Sequence, residues 1–151
     1  MCDIENVVEN ESFEANAISR YKKREQAFIL CFETLFSDDT DIDELADNSV
    51  DGSDVHMSDY AIMCAKGILV NAEKIDELIS ANLKKGWKLN RISRVSLAVM
   101  RLAIFEMLYV EDVPVSVSIN EAVELAKKYS VPDDSSFVNG VLGAVAKTID
   151  E

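Results

Sequence analysis

Histidine and cysteine are scarce in this sequence of 151 residues, which has one histidine, His56, and three cysteines, Cys2, Cys31 and Cys64. One imidazole in a polar stretch provides no relay and no His-rich metal centre. Three thiols without a C-x-x-C spacing argue against a disulfide framework and a thiolate zinc site, so reduced thiols are expected. Glycine and proline are also few, with five and two. No G-x-x-x-x-G-K or G-x-G-x-x-G loop is present to cradle phosphates, and there is no H-E-x-x-H and no partner for a nucleophilic serine. A binding protein is therefore expected rather than an enzyme, with no catalytic residue, cofactor or metal site. Long apolar runs are missing as well. Arg101, Glu106 and Asn139 interrupt every stretch well short of the roughly 18 residues of a membrane span. The first ten residues carry acids and no base, unlike a secretory leader, so a cytoplasmic location is expected.

Positive charge is the minority sign. Fifteen Lys and Arg stand against 28 Asp and Glu, giving a net charge of -13. Its distribution matters more than the total. Residues 1–18 hold -5 and residues 37–59 hold -9, whereas residues 19–36 carry +2 and residues 60–151 carry -1. The expected folded body is thus nearly neutral. It keeps two basic regions: Arg20, Lys22, Lys23 and Arg24, and the run Lys84, Lys85, Lys88, Arg91, Arg94 and Arg101, with no acid between Glu77 and Glu106. A charge run is ordinarily a solvated face, and neither region establishes a ligand alone.

At 48% hydrophobic residues the chain can bury roughly two thirds of its unfolded surface, enough for one domain or a pair of packed subdomains. Residues 1–18 read as an acidic mobile tail, with a possible turn at Ile4 to Val8. From a cap at Ser19, Ala27, Leu30, Cys31 and Leu35 fall at helical spacing. Asp38 to Met57 has loop chemistry around a short helix at Ile42 to Ala46. Ser58 is expected to cap one long helix, the longest element, whose apolar positions run from Ala61 to Leu83 and which Gly86 stops. After a short turn at Leu89 to Ile92, Val95 to Val110 is apolar on nearly every side, the mark of a central core helix. Ser118-Ile-Asn-Glu121 reads as a capping box. Asp134 or Ser135 is expected to cap a last helix repeating Val138, Val141, Leu142, Val145 and Ile149. Gly140 and Gly143 read as small residues for close helix packing. No segment alternates with period two, so the fold class is all-α, about seven helices. Trp87 is expected to plug a bundle end. Phe137 is open to two readings, core packing or base stacking beside a helix start.

Read in order, Trp87-Lys-Leu-Asn-Arg-Ile92, Met100-Arg-Leu-Ala-Ile-Phe-Glu-Met107, Glu111-Asp-Val-Pro114, Ser118-Ile-Asn-Glu-Ala-Val-Glu-Leu-Ala-Lys127 and Phe137-Val-Asn-Gly-Val-Leu142 resemble the NusB family of bacterial transcription antitermination factors. The resemblance is close from Trp87 to Leu142 and looser from Arg20 to Leu35. It implies two packed three-helix bundles, about 19–85 and 86–150. It also implies RNA binding and a complex with NusE, the small-subunit ribosomal protein that doubles as a Nus factor. Such a pair binds the single-stranded boxA element of ribosomal RNA leaders and helps RNA polymerase read through terminators. On this chain the implied RNA contacts are Arg20, Lys22, Lys23 and Arg24 at the first helix, and Phe137, Ser136 and Asn139 at the last. The implied partner surface includes Phe32, and Ser96 where the family usually has an acid. Two alternatives stand beside this. One is the NusB-like domain that precedes some ribosomal RNA methyltransferases, for which 151 residues leave no room beside a catalytic domain. The other is a homodimeric, protein-only adaptor that does not bind RNA.

Overall fold

The computed structural model describes residues 20–36, 41–48 and 57–150. The acidic segment 1–18, the Ser19 cap, His56 and most of the 38–57 loop lie outside the described residues. Those described form seven α-helices and one 3₁₀ turn, and no strand occurs among them. They are α1 (20–34), α2 (Ile42–Asn48), α3 (Asp59–Val70), α4 (Ala72–Ala81), the 3₁₀ turn Leu89–Arg91, α5 (Arg94–Tyr109), α6 (Val115–Tyr129) and α7 (Pro132–Asp150). Helices α5, α6 and α7 pack on one another. Helix α5 also packs against α3 and α4, and α2 lies on α3. The expected central helix is therefore central: nine consecutive or near-consecutive residues from Ser96 to Glu106 are buried along it.

Several helix boundaries differ from the expected ones, each for a local reason. The single helix expected from Ser58 to Leu83 breaks at Asn71. Its side-chain Nδ2 and backbone N–H both donate to the Gly67 carbonyl, at 2.8 and 3.0 Å, so that one side chain ends the run. Asn82 ends α4 in the same way, donating from Nδ2 to Leu78 O at 2.8 Å, well before Gly86. Gly86 instead takes a positive φ of 93° in the following turn, where a side chain would be strained. The longest helix is α7, with 19 residues. Ser58 does cap α3, accepting from Ala61 N at 3.2 Å.

The expected capping box at Ser118 is not formed. Pro114, with φ -60°, ends the connection and starts α6 one turn earlier, leaving Ser118 buried inside the helix with no partner for its Oγ among the described residues. Likewise α7 starts at Pro132 rather than at Asp134 or Ser135. Asp134 accepts hydroxyl hydrogen bonds from Ser130 and Ser93, and Ser135 donates to Pro132 O at 2.8 Å. Gly140 and Gly143 have no neighbour within 4 Å of a notional Cβ among the described residues, so neither serves close packing between the helices described. Gly67 does, because a Cβ there would stand 2.4 Å from the Phe105 ring.

Polar ties hold α1 on this core, among them Ser58 N donating to Gln26 Oε1 at 2.8 Å. Arg24, only 9% exposed, donates from Nε to both Glu106 oxygens at 3.1 and 3.2 Å and from Nη2 to Oε2 at 2.9 Å. Glu106 is 1% exposed, and Tyr60 of α3 donates to the same Oε2 at 2.7 Å. Burial opposes the charge on Arg24, but hydrogen bonding and attraction from Glu106 outweigh it and hold the guanidinium pKa above its ordinary value. Burial and the bond to Glu106 push the Tyr60 hydroxyl up as well, so it remains a donor. The next residue, Glu25, accepts from Lys128 Nζ at 2.5 Å and from Tyr129 OH at 3.0 Å on α6. Burial alone would raise the Glu25 pKa, yet the bonds from Lys128 and Tyr129 hold it below its usual value.

Removing one partner of a buried ion pair strands the other, at a cost of about 3–5 kcal/mol, whereas replacing both with apolar groups is often neutral. Arg24→Ala is accordingly expected to lose about 3–5 kcal/mol in urea unfolding, and Arg24→Leu combined with Glu106→Leu to recover most of it. A double variant no more stable than Arg24→Ala would mean that the pair is not the unit that holds α1. The Glu25 tie predicts a pH dependence of definite sign. A carboxylate whose pKa is depressed by folding contributes stability above its unfolded value, and loses it as pH falls through the folded one. Thermal melts should therefore drop in Tm below about pH 4, and Lys128→Met should flatten that limb; an unaltered limb would place the acid sensitivity elsewhere.

Candidate nucleic-acid interface

Helical spacing divides the basic start of α1 into two functions. Arg24 continues the stripe of Ala27, Phe28 and Cys31 and turns inward, whereas Arg20, Lys22 and Lys23 are exposed. Arg24, expected as a phosphate contact, is largely committed inside the protein, its Nε and Nη2 donating to Glu106 and its Nη1 4.0 Å from Glu121, although it also lines the cleft beside the exposed cations. None of Arg20, Lys22 and Lys23 forms an ion pair among the described residues. Beside them opens a cleft of about 530 Å³ between α1 and the α5–α6 connection, with Arg20 and Lys23 on one wall, Val113 and Pro114 on the other, and Tyr60 also lining it.

A second cluster forms at the start of α7, where Ser136 and Asn139 are exposed and Phe137 is half-buried. Phe137 packs on Trp87 with ring centroids 5.9 Å apart and planes at 32°. Trp87 is 50% exposed, so it does not plug a bundle end as the sequence suggests. The two clusters are joined through the end of α6. Glu25 of α1 holds Lys128 and Tyr129, Tyr129 packs on Phe28 at 4.9 Å, and Ser130 then donates to Asp134 one turn before Phe137. The residues flanking the second cluster are therefore fixed relative to α1 rather than carried on a loose loop.

The expected partner residues fare differently. Phe32 is half-buried in an i, i+4 row of rings, 6.0 Å from Phe28 and 5.1 Å from Phe36. Phe36 is exposed and carries the Arg94 guanidinium 4.7 Å from its centroid. Ser96 is 1% exposed and its Oγ has no partner among the described residues, so it presents no surface for a partner charge. A carboxylate placed there would be buried. The second basic run is also not wholly unopposed, because Arg101 pairs with Asp76 of α4 at 2.7 and 2.9 Å. Chemistry of other kinds finds little purchase. Burial pushes the Cys64 thiol up to about 12 and that of Cys31 higher still, so neither is a thiolate at neutral pH. Among the described residues no group of three His, Cys, Asp or Glu side chains is placed to hold a metal, and no helix is long and apolar enough to cross a membrane.

Sequence reasoning missed Tyr60 and Glu106. Glu106 was visible as an acid in an apolar helix, but its partner lies 82 positions away and no local pattern connects them.

Residues 21–147 match the model of the NusB family. The chain is 43% identical over 132 residues to a transcription antitermination protein NusB of Acetivibrio thermocellus, covering 86% of this chain and 90% of the relative. It is 40% identical to the same protein of Clostridium novyi, over 86% of this chain and 99% of that one. Among solved structures, NusB of T. maritima superposes with a TM-score of 0.74 at 36% identity, over 85% of this chain and 90% of the other. A chain from a complex of the antitermination factors NusB and NusE with double-stranded RNA gives 0.73 at 26% identity, over 85% and 98%. With its seven helices in that arrangement, and the family pattern spanning all but the ends, this chain belongs to the NusB family.

Proposed function

We propose that the chain is an RNA-binding transcription antitermination factor that acts with NusE on boxA-type single-stranded RNA of ribosomal leaders, in the cytoplasm and without catalysis of its own. The observation that carries this reading is the set of three exposed cations at one end of α1, without an ion pair among the described residues and held in place by the inward Arg24. A phosphate backbone meeting Arg20, Lys22 and Lys23 releases its condensed counterions without first breaking an ion pair in the protein. At the start of α7, Phe137 offers a ring edge for a base, and Ser136 and Asn139 offer hydrogen-bonding groups. Contacts of the first kind position the strand, and contacts of the second kind read its bases. The complex of relatives with NusE and RNA supports an assembly of this type. The curated relatives, matched over 90% and 99% of their lengths, have no room for a methyltransferase domain, which favours a factor over an enzyme domain. Phe32 and its neighbour Phe36 replace Ser96 as the side chains offered to NusE, since they are the ones with accessible surface.

Each single-strand phosphate contact contributes about 0.7 to the slope of log K against log salt. Changing Arg20, Lys22 and Lys23 together to alanine should weaken binding to every RNA sequence and flatten that slope by up to about 2. Arg24→Ala should chiefly lower stability. An unchanged slope in the triple variant, measured by fluorescence anisotropy, would remove α1 from the interface. Base stacking on an aromatic is worth about 1–3 kcal/mol, so Phe137→Ala should weaken RNA binding by that amount while lowering Tm little. A collapse of stability with unaltered affinity in the folded fraction would make Phe137 a packing residue only.

A further inference from the structure

The bases of this chain fall into two sets. Arg24, Lys66, Arg101, Lys127 and Lys128 are in ion pairs, and Lys74 and Arg94 lie over aromatic rings. Among the described residues the rest have no such partner. Apart from Lys147 they occupy two places: Arg20, Lys22 and Lys23 on α1, and Lys84, Lys85, Lys88 and Arg91 in the connection between α4 and α5. All four of the second group are exposed. In their midst stands Trp87, half of its surface open and its ring seated on Phe137. The turn closed by Trp87 N donating to Lys84 O at 2.9 Å, with Gly86 at positive φ, holds the indole in that place.

An indole exposed to this extent in water forgoes the burial that a tryptophan normally gains, and the lysines beside it form no ion pair among the described residues. Both features fit a ligand that is aromatic and polyanionic at once. We propose that Trp87 is a stacking residue for a base of single-stranded RNA, with Lys84, Lys85, Lys88 and Arg91 along the backbone of the same strand. The inference rests on the RNA-binding reading above and extends its footprint: a strand leaving α1 across the end of α6 reaches Phe137 and continues onto Trp87. A protein ligand with an acidic surface would use the lysines but would not need the ring pair. The match of rings with cations favours nucleic acid.

Trp87 is the sole tryptophan of the chain, so its fluorescence reports on this position alone. Full-length protein is titrated with end-labelled single-stranded RNA of mixed adenosine and uridine, following label anisotropy and indole emission in parallel. The expected result is strong quenching of the indole that saturates with the anisotropy curve. Trp87→Ala should weaken binding by about fivefold or more, as loss of one stacked base requires, and Trp87→Phe should restore most of it. Changing Lys85 and Lys88 to glutamine should flatten the salt dependence without altering far-ultraviolet circular dichroism. Saturable anisotropy with unaltered indole emission would overturn this inference and leave RNA binding at α1 and α7 standing. No binding in either channel would overturn both, and quenching by an acidic peptide but not by RNA would assign the surface to a protein ligand.

Discussion

The orientation of α1 depends on one buried carboxylate. Glu106 sits at 1% exposure on the helix that α3, α4, α6 and α7 pack against, and it receives Arg24 from α1 and Tyr60 from α3. Leucines could fill that space with similar stability, since burying an ion pair costs about as much as it returns. What the ionic form adds is direction. A guanidinium held by two parallel bonds accepts a narrow range of approach, so α1 is fixed in its rotation about its own axis as well as in its distance from α5. Glu25, one residue on, fixes the same helix against α6. Adjacent residues project about 100° apart on a helix, so two ties to two different helices leave the remaining arc of the first turn for Arg20, Lys22 and Lys23.

That division explains why the sequence was informative about the cluster and silent about its members. Four bases in five residues read as one patch, and only the helical phase separates Arg24 from the others, because it falls three, four and seven positions before Ala27, Phe28 and Cys31. The apolar α5 and the valine-leucine repeat of α7 were readable for the same reason, their buried faces being written in consecutive residues. The break at Asn71 was not, because it depends on one amide side chain returning to Gly67 O instead of pointing to solvent. The expected cap at Ser118 failed to a competing signal nearby, Pro114, which starts a helix as readily and stands earlier. Ser96 was assigned to a surface from its position in a family pattern, and its burial is set by packing that the pattern does not encode. The exposed ring of Trp87 shows the converse. Apolar character predicted burial, and the residue stays half open.

Charge gives a further consistency. A net charge of -13 repels polyanions at a distance, yet screening at physiological salt confines that repulsion to about 8 Å. Within such a range the local groups decide, and the cations of 20–23 and 84–91 lie in stretches where the chain has withheld acids or already paired them. Residues 1–18 and 37–59, with -5 and -9, supply most of the negative charge behind that screened repulsion.

This repulsion changes what a salt titration measures. Added salt weakens phosphate contacts and, at the same time, weakens the repulsion from the acidic segments. The observed slope is therefore shallower than the number of phosphate contacts implies. The difference in slope between a variant and the parent chain cancels the acidic contribution, because the same segments are present in both. Counting contacts by that difference separates the α1 cations from those near Trp87, since each set can be removed while the other and the acidic background remain.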